Sequence, residues 1–210
     1  MLKTAVVSFA TFFATIGPID VAAMFAALTT ASPLRSRLAM AVKGTLIATL
    51  ILLAFAFVGE LLLNYFGISL AALRTAGGIL LLLIAIDMVF ARSSGGVSMT
   101  EDESREARTQ SDISVFPLAT PLIAGPGAMG AAILLMANTG GDWLLQAVVV
   151  ASLLAVLLLT LVLLLMASQV HRFLGVTGLH VITRVFGVLL SALAVQFIFD
   201  GIADSGLVPV

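Results

Sequence analysis

Six apolar stretches run along the chain, at about residues 4–30, 38–59, 71–91, 113–137, 143–168 and 182–203. Each is close to the twenty or so residues that a helix needs to cross the hydrocarbon of a bilayer. Polar residues collect between them. The connection Ala31 to Arg37 holds a proline, serines and two arginines, and Asn64 to Ser69 is short. Arg92 to Asp112, with Ser93-Ser94-Gly95-Gly96 and then Glu101-Asp102-Glu103, is the one long segment that reads as solvated and mobile. The pattern predicts an all-α polytopic membrane protein with six transmembrane helices.

Two of the six stretches are interrupted. Pro117 to Met129 carries three prolines and Gly125-Pro126-Gly127, and the first stretch carries Ile16-Gly17-Pro18-Ile19-Asp20. Proline removes a backbone donor and glycine weakens a helix. In lipid the groups so freed must find protein, another helix end or a watery cavity. The first and fourth spans are therefore expected to be broken helices. Pro18 and Pro126 suit the first turn of a second half-helix, where the missing N–H is no loss.

Composition fixes the class and removes others. At 61% hydrophobic and 10% charged, with mean hydropathy +1.21, the chain is far more apolar than a soluble domain. All 210 residues form a single membrane domain, with no room for a soluble one. The net charge of -1 gives no basic patch for nucleic acid. The absence of cysteine excludes disulfides, thiolate metal sites and thiol relays. His171 and His180 have no acidic cluster beside them, so no metal or other cofactor is expected. No Ser/His/Asp or His-Glu-x-x-His pattern occurs, and the chain is not expected to be an enzyme. Lys3 before an apolar run has the look of a signal peptide, but the run is too long and more spans follow.

With six spans, the connections after the first, third and fifth share one side and carry Arg35, Arg37, Lys43, Arg92, Arg105, Arg108, Arg172 and Arg184, against Lys3 and Arg74 on the other. Positive charge marks the cytoplasmic side. The loop 93–112 is thus expected in the cytoplasm and both termini outside. The two halves also echo one another. Ile16-Gly17-Pro18 matches Ala124-Gly125-Pro126, Phe66-Gly67-Ile68-Ser69 matches Leu174-Gly175-Val176-Thr177, and Arg74-Thr75-Ala76-Gly77 matches Arg184-Val185-Phe186-Gly187, at offsets of 108 to 110. Three spans per half make the second copy enter from the opposite side, an inverted-topology repeat of the kind found in secondary transporters. The expected division is repeat one 1–92, cytoplasmic linker 93–112 and repeat two 113–210.

At this point the sequence resembles a known family. Phe57-Val58-Gly59-Glu60, Phe66 to Leu70, Leu73 to Met88, Pro121 to Ala128, and Ala194-Val195-Gln196-Phe197-Ile198-Phe199-Asp200-Gly201-Ile202 are similar to the MarC family of bacterial inner-membrane proteins, nearly end to end. Where that family has Asn-Pro-Ile-Gly, this chain has Gly17-Pro18-Ile19-Asp20. The resemblance implies six spans in the bacterial inner membrane and a relation to amino-acid and metal exporters of the LysE type.

The candidate substrate site gathers Gly17, Pro18, Asp20, Gly125, Pro126, Gly127, Gln196, Arg74 and Arg184. Two helix N-termini meeting near the midplane would favour an anionic group on an unknown small solute; the plainer reading is two kinks that let helices pack closely through Gly17, Gly125, Gly127 and Gly130. Asp20 is either a proton or cation coupling site or the cap of its own half-helix. Arg74 and Arg184 either snorkel to their interfaces or turn inward to an anion. Gln196 is a candidate to bond a broken-helix carbonyl or substrate, Glu60 to pair with Arg74, and Asp87 with Arg92. The expected surroundings are the lipid bilayer and, on exposed apolar faces, lipid or a second copy. Two functions stay open: a secondary transporter, and a scaffold or regulatory protein that moves nothing.

Overall fold

The computed structural model describes residues 1–29, 32–90 and 112–206; of the side chains of 167–183 nothing is said, and the loop expected at 93–112 lies almost wholly outside the described residues. Among the described residues every regular element is helical: α1 (Leu2–Ile16), α2 (Pro18–Leu28), α3 (Leu34–Tyr65), α4 (Leu70–Phe90), α5 (Ser114–Ile123), α6 (Pro126–Ala137), α7 (Trp143–Leu165) and α8 (Ala167–Asp204). Five of the resulting segments are long and apolar enough to cross a membrane, and α5 with α6, bent by 56° at their junction, make a sixth when taken as one span.

The first apolar stretch is interrupted at Gly17. This residue lies at φ 60, ψ 57, the left-handed region that glycine enters without steric cost, and its N–H still donates to Phe13 O at 3.0 Å. Pro18 then opens α2 as its first residue. Even so, Leu2–Leu28 runs on as one apolar length.

The fourth stretch is interrupted differently. α5 is a wide coil in which Leu118 N donates to Ile113 O and Ala124 N to Ala119 O, each five residues back. Phe116 and Thr120 are extended, and each precedes a proline, Pro117 and Pro121, joined through a cis bond. The residue before proline is driven out of the α region, so two prolines four apart cannot sit in a regular α-helix.

Two expectations need correcting. The second span is not 38–59 but the 32-residue α3, about 48 Å long at 1.5 Å per residue. The fifth connection is not a loop: α8 is continuous through it from Ala167, so Leu174-Gly175-Val176-Thr177 does not form the turn that Phe66-Gly67-Ile68-Ser69 forms between α3 and α4. An isolated glycine costs a helix only about 1 kcal/mol, so Gly175 does not by itself end α8.

Helix directions follow from which residues meet. A Cβ built on Gly78 would lie 2.8 Å from Ala194 O, one on Gly187 2.9 Å from Met88 Cβ, and one on Gly201 2.8 Å from Thr75 N. As the number rises on α4 it falls on α8, so the two run antiparallel, backbone close to backbone. Gly44 abuts Leu118 while Gly59 abuts Ile133, so α3 runs parallel to α5 and α6. The α4–α8 contact is the most extensive in the molecule; α3 packs on α5, α6 and α7, and α7 on α1 and α2. The core between them holds Phe12, Ile16, Phe25, Leu118, Ile123 and Leu134.

Candidate functional site

The interruption at Gly17 leaves a small, half-open recess, with room for about one water molecule. One wall is α1 and the start of α2: Phe13, Gly17, Pro18, Ile19 and Asp20. The other is Met88 near the end of α4 and Phe186 on α8. The Phe13 and Phe186 rings touch across it, their centroids 4.3 Å apart. Met88 lies on the last described turn of α4, and Phe186 near the middle of α8.

Asp20 is half-buried and is the third residue of α2. An acid there is favoured by the positive end of the helix dipole, because the first amides of the helix have no intrahelical acceptor. Val21 N, the first amide of α2 with such an acceptor, reaches Gly17 O at 2.9 Å. Behind Gly17, α1 carries a buried polar stripe, Ser8, Thr11 and Thr15. Thr11 Oγ1 donates to Val7 O and Thr15 Oγ1 to Thr11 O, each at 2.8 Å, whereas Ser8 Oγ is buried without a partner.

The other candidates are elsewhere. Gly125, Pro126 and Gly127 do not line this cleft. Gly125 is extended (φ -80, ψ 169), and the place a Cβ would take on Gly127 is filled by Ile84 Cδ1, 2.4 Å away. Of the close-packing glycines, Gly130 has open space where its Cβ would be. Arg74 pairs with Asp204 at the end of α8, not with Glu60, and its Nε donates to Asn138 Oδ1 at the end of α6 at 2.7 Å. The short α3–α4 turn leads Arg74 under the ends of α6 and α8, which takes its side chain from Glu60. Gln196 is exposed on α8, and its Nε2 donates to Asp200 Oδ1 one turn on, at 2.7 Å, rather than to a carbonyl of an interrupted helix. Arg184 is exposed. The pair expected between Asp87 and Arg92 lies outside the described residues at Arg92.

Lys43 Nζ meets Asp112 Oδ2 at 2.8 Å and ties α3 to the entry of α5. The Lys43 ammonium, helped by Ser114, whose N–H donates to Asp112 Oδ1, lowers the Asp112 carboxyl from 3.8 to about 2. Among the described residues no group of three or more histidines, aspartates or glutamates could hold a metal.

Sequence reasoning missed Phe13, Met88 and Phe186 as cleft walls, Ile84 as the neighbour of Gly127 and Asn138 as the partner of Arg74. Apolar residues in apolar spans carry no local mark. The Ser8, Thr11, Thr15 stripe did have one, a 3-4 spacing of hydroxyls in an otherwise greasy helix.

The sequence profile of the MarC family integral membrane proteins matches residues 2–205. The chain belongs to the MarC family. Among its MarC relatives, a UPF0056 membrane protein of Methanocaldococcus jannaschii is 39% identical over 96% of this chain and 97% of its own. A Bacillus subtilis UPF0056 membrane protein is 35% identical over 96% and 94%, and one from Escherichia coli 34% identical over 90% and 87%. No solved structure gives a significant match. This MarC protein is thus an integral membrane protein with several apolar helices.

Proposed function

We propose that the protein is a secondary transporter of a small solute, with its site in the cleft at Gly17. The observation that carries this reading is a carboxylate, Asp20, beside a helix interruption and facing a space within apolar spans. An ionisable group there is costly unless it serves a pathway or a partner, at least ~2.5 kcal/mol on insertion scales. Two features that an inverted repeat would produce support it: interruptions recur at Gly17-Pro18 and Gly125-Pro126, and α4 and α8 run antiparallel. In this reading Asp20 takes a proton or cation during the cycle. The solute is one with a cationic or hydrogen-bond-donating face. An anion has less support than the sequence suggested, because the charged side chain in the cleft is an acid and the second N-terminus, at Pro126, is not among its walls. The cytoplasmic membrane, with both termini outside, belongs to the same reading and rests on the eight-to-two distribution of basic residues.

The scaffold reading has one observation of its own, the solid packing at the second interruption, where Ile84 fills the space beside Gly127. Thermal unfolding in detergent across amino acids, polyamines and small organic acids separates the two, since a ligand of the folded state raises its stability. A transporter is expected to give a hit that weakens in Phe186→Ala and Asp20→Asn. A panel without any hit, together with vesicles that move none of its members, would leave the scaffold.

A further inference from the structure

We infer that the protein pairs with a second copy of itself through the outer face of α8, where Gln196 of each copy hydrogen-bonds Gln196 of the other. This goes beyond the transport reading and does not depend on it.

Within its apolar length α8 has two unlike faces. Gly187, Leu190, Ala194, Phe197 and Gly201 are buried, and the two glycines lie against α4. On the opposite side Val185, Leu189, Ala192, Gln196, Phe199 and Ala203 are all exposed. Their steps alternate four and three residues, the 3.5-residue repeat that holds one stripe of a helix against a neighbouring helix. Lipid is cover enough for the apolar members of the stripe. It is not enough for Gln196.

Gln196 stands eight residues before Asp204, the last residue of α8, about 12 Å from that end and inside the apolar length Arg184–Asp204. That is too deep for its short side chain to reach the headgroups. Its Nε2 donates one hydrogen to Asp200 Oδ1, and neither side chain makes another hydrogen bond among the described residues. The second N–H and the carbonyl of Gln196 are therefore turned to hydrocarbon, where an unmet polar group is costly. Such groups on membrane spans are met by the side chains of another helix.

A second copy supplies the match with no further residue. Both copies insert in the same direction, so their α8 helices run parallel about a two-fold axis along the membrane normal, and a residue on that axis faces itself. An amide suits this position because it carries both donor and acceptor. Across the axis the spare N–H of each Gln196 meets the carbonyl of the other, and each keeps its bond to Asp200. Ala192 and Ala203, before and after Gln196 in the stripe, are small enough to let the two backbones come close. Asp200 lies beside the stripe and about 6 Å from the helix end, which leaves the two carboxyls toward the headgroups.

The chain has no cysteine, so a single introduced cysteine reports contact between copies. In oxidised membranes Ala192→Cys is expected to give a disulfide-linked dimer, whereas Leu50→Cys on α3 and Leu158→Cys on α7, equally exposed, stay unlinked. Association of the cysteine-free protein, followed by sedimentation in detergent, is expected to weaken at least about threefold in Gln196→Leu and to persist in Gln196→Asn, which keeps an amide. Ala192→Phe retains every hydrogen bond and is expected to part the copies by bulk. Thermal melts check that each variant folds. The inference would be overturned by a folded Gln196→Leu that pairs as tightly as the parent, by linkage through Leu50→Cys or Leu158→Cys in preference to Ala192→Cys, by linkage of Ala192→Cys to a different protein alone, or by a parent that stays monomeric with Ala192→Cys unlinked.

Discussion

Replacing glycine by alanine at two positions tests the close approach of α4 and α8, because the sign of the effect should differ. At Gly78 a methyl would stand 2.7 Å from Ile198 Cγ1, 2.8 Å from Ala194 O and 3.0 Å from Ile198 N. Two of these atoms are backbone, so the helices must part. Overpacking of this kind costs about 1–3 kcal/mol, set against a gain of up to about 1 kcal/mol from better helix propensity. The net is a loss that parting the whole pair pushes toward the upper figure. At Gly130 the same methyl meets nothing within 4 Å, and only the propensity gain of about 1 kcal/mol is left. Equilibrium unfolding of both variants in one detergent, followed by far-ultraviolet circular dichroism, should place Gly78→Ala below the parent and Gly130→Ala at or above it. Equal stability for Gly78→Ala and the parent would mean that the helices are not in backbone contact.

Other outcomes follow from the site and its surroundings. Gly17→Ala places a side chain at φ 60, costs about 1–2 kcal/mol, and should lower the midpoint of the same unfolding curve. Asp20→Asn should keep the fold, as judged by the melt, and abolish any pH dependence of solute flux in vesicles; a flux that keeps its pH profile would exclude coupling at Asp20. Asp112 has its carboxyl lowered from 3.8 to about 2 by Lys43 and Ser114, so its contribution is present in full above 3.8 and is lost as pH falls through about 2. The pair is half exposed, which limits the contribution to under about 1 kcal/mol, and the gap in stability between parent and Asp112→Asn should shrink between pH 4 and pH 2.

Much of the fold could be read from the chain because lipid leaves few choices. Apolar lengths near twenty residues and the glycine-proline steps at 17–18 and 125–126 marked the helices and where they falter. Tertiary features were less legible. Nothing near Arg74 in sequence points to Asn138 or Asp204, since their approach depends on how three helix ends gather. Glu60 was the nearer guess by sequence and the wrong one by geometry. The helix through Gly175 was missed because glycine was read as punctuation, although a single glycine costs a helix only about 1 kcal/mol. At the site itself Gly17, Pro18 and Asp20 were visible as a break with an acid. Phe13 and Phe186 were not, because their importance comes only from being opposite one another.

The pairing of α4 with α8 also governs how the molecule is built. When Phe90 leaves the ribosome, Gly78 has no partner surface, and its counterparts Ala194 and Ile198 are still unmade. At elongation rates of about 5–20 residues per second, the wait until Asp204 is about 6–23 s. Through that interval the newborn first half lies in lipid with its glycine-lined flank uncovered, so a chain released early would present that flank to quality-control proteases until α8 covers it.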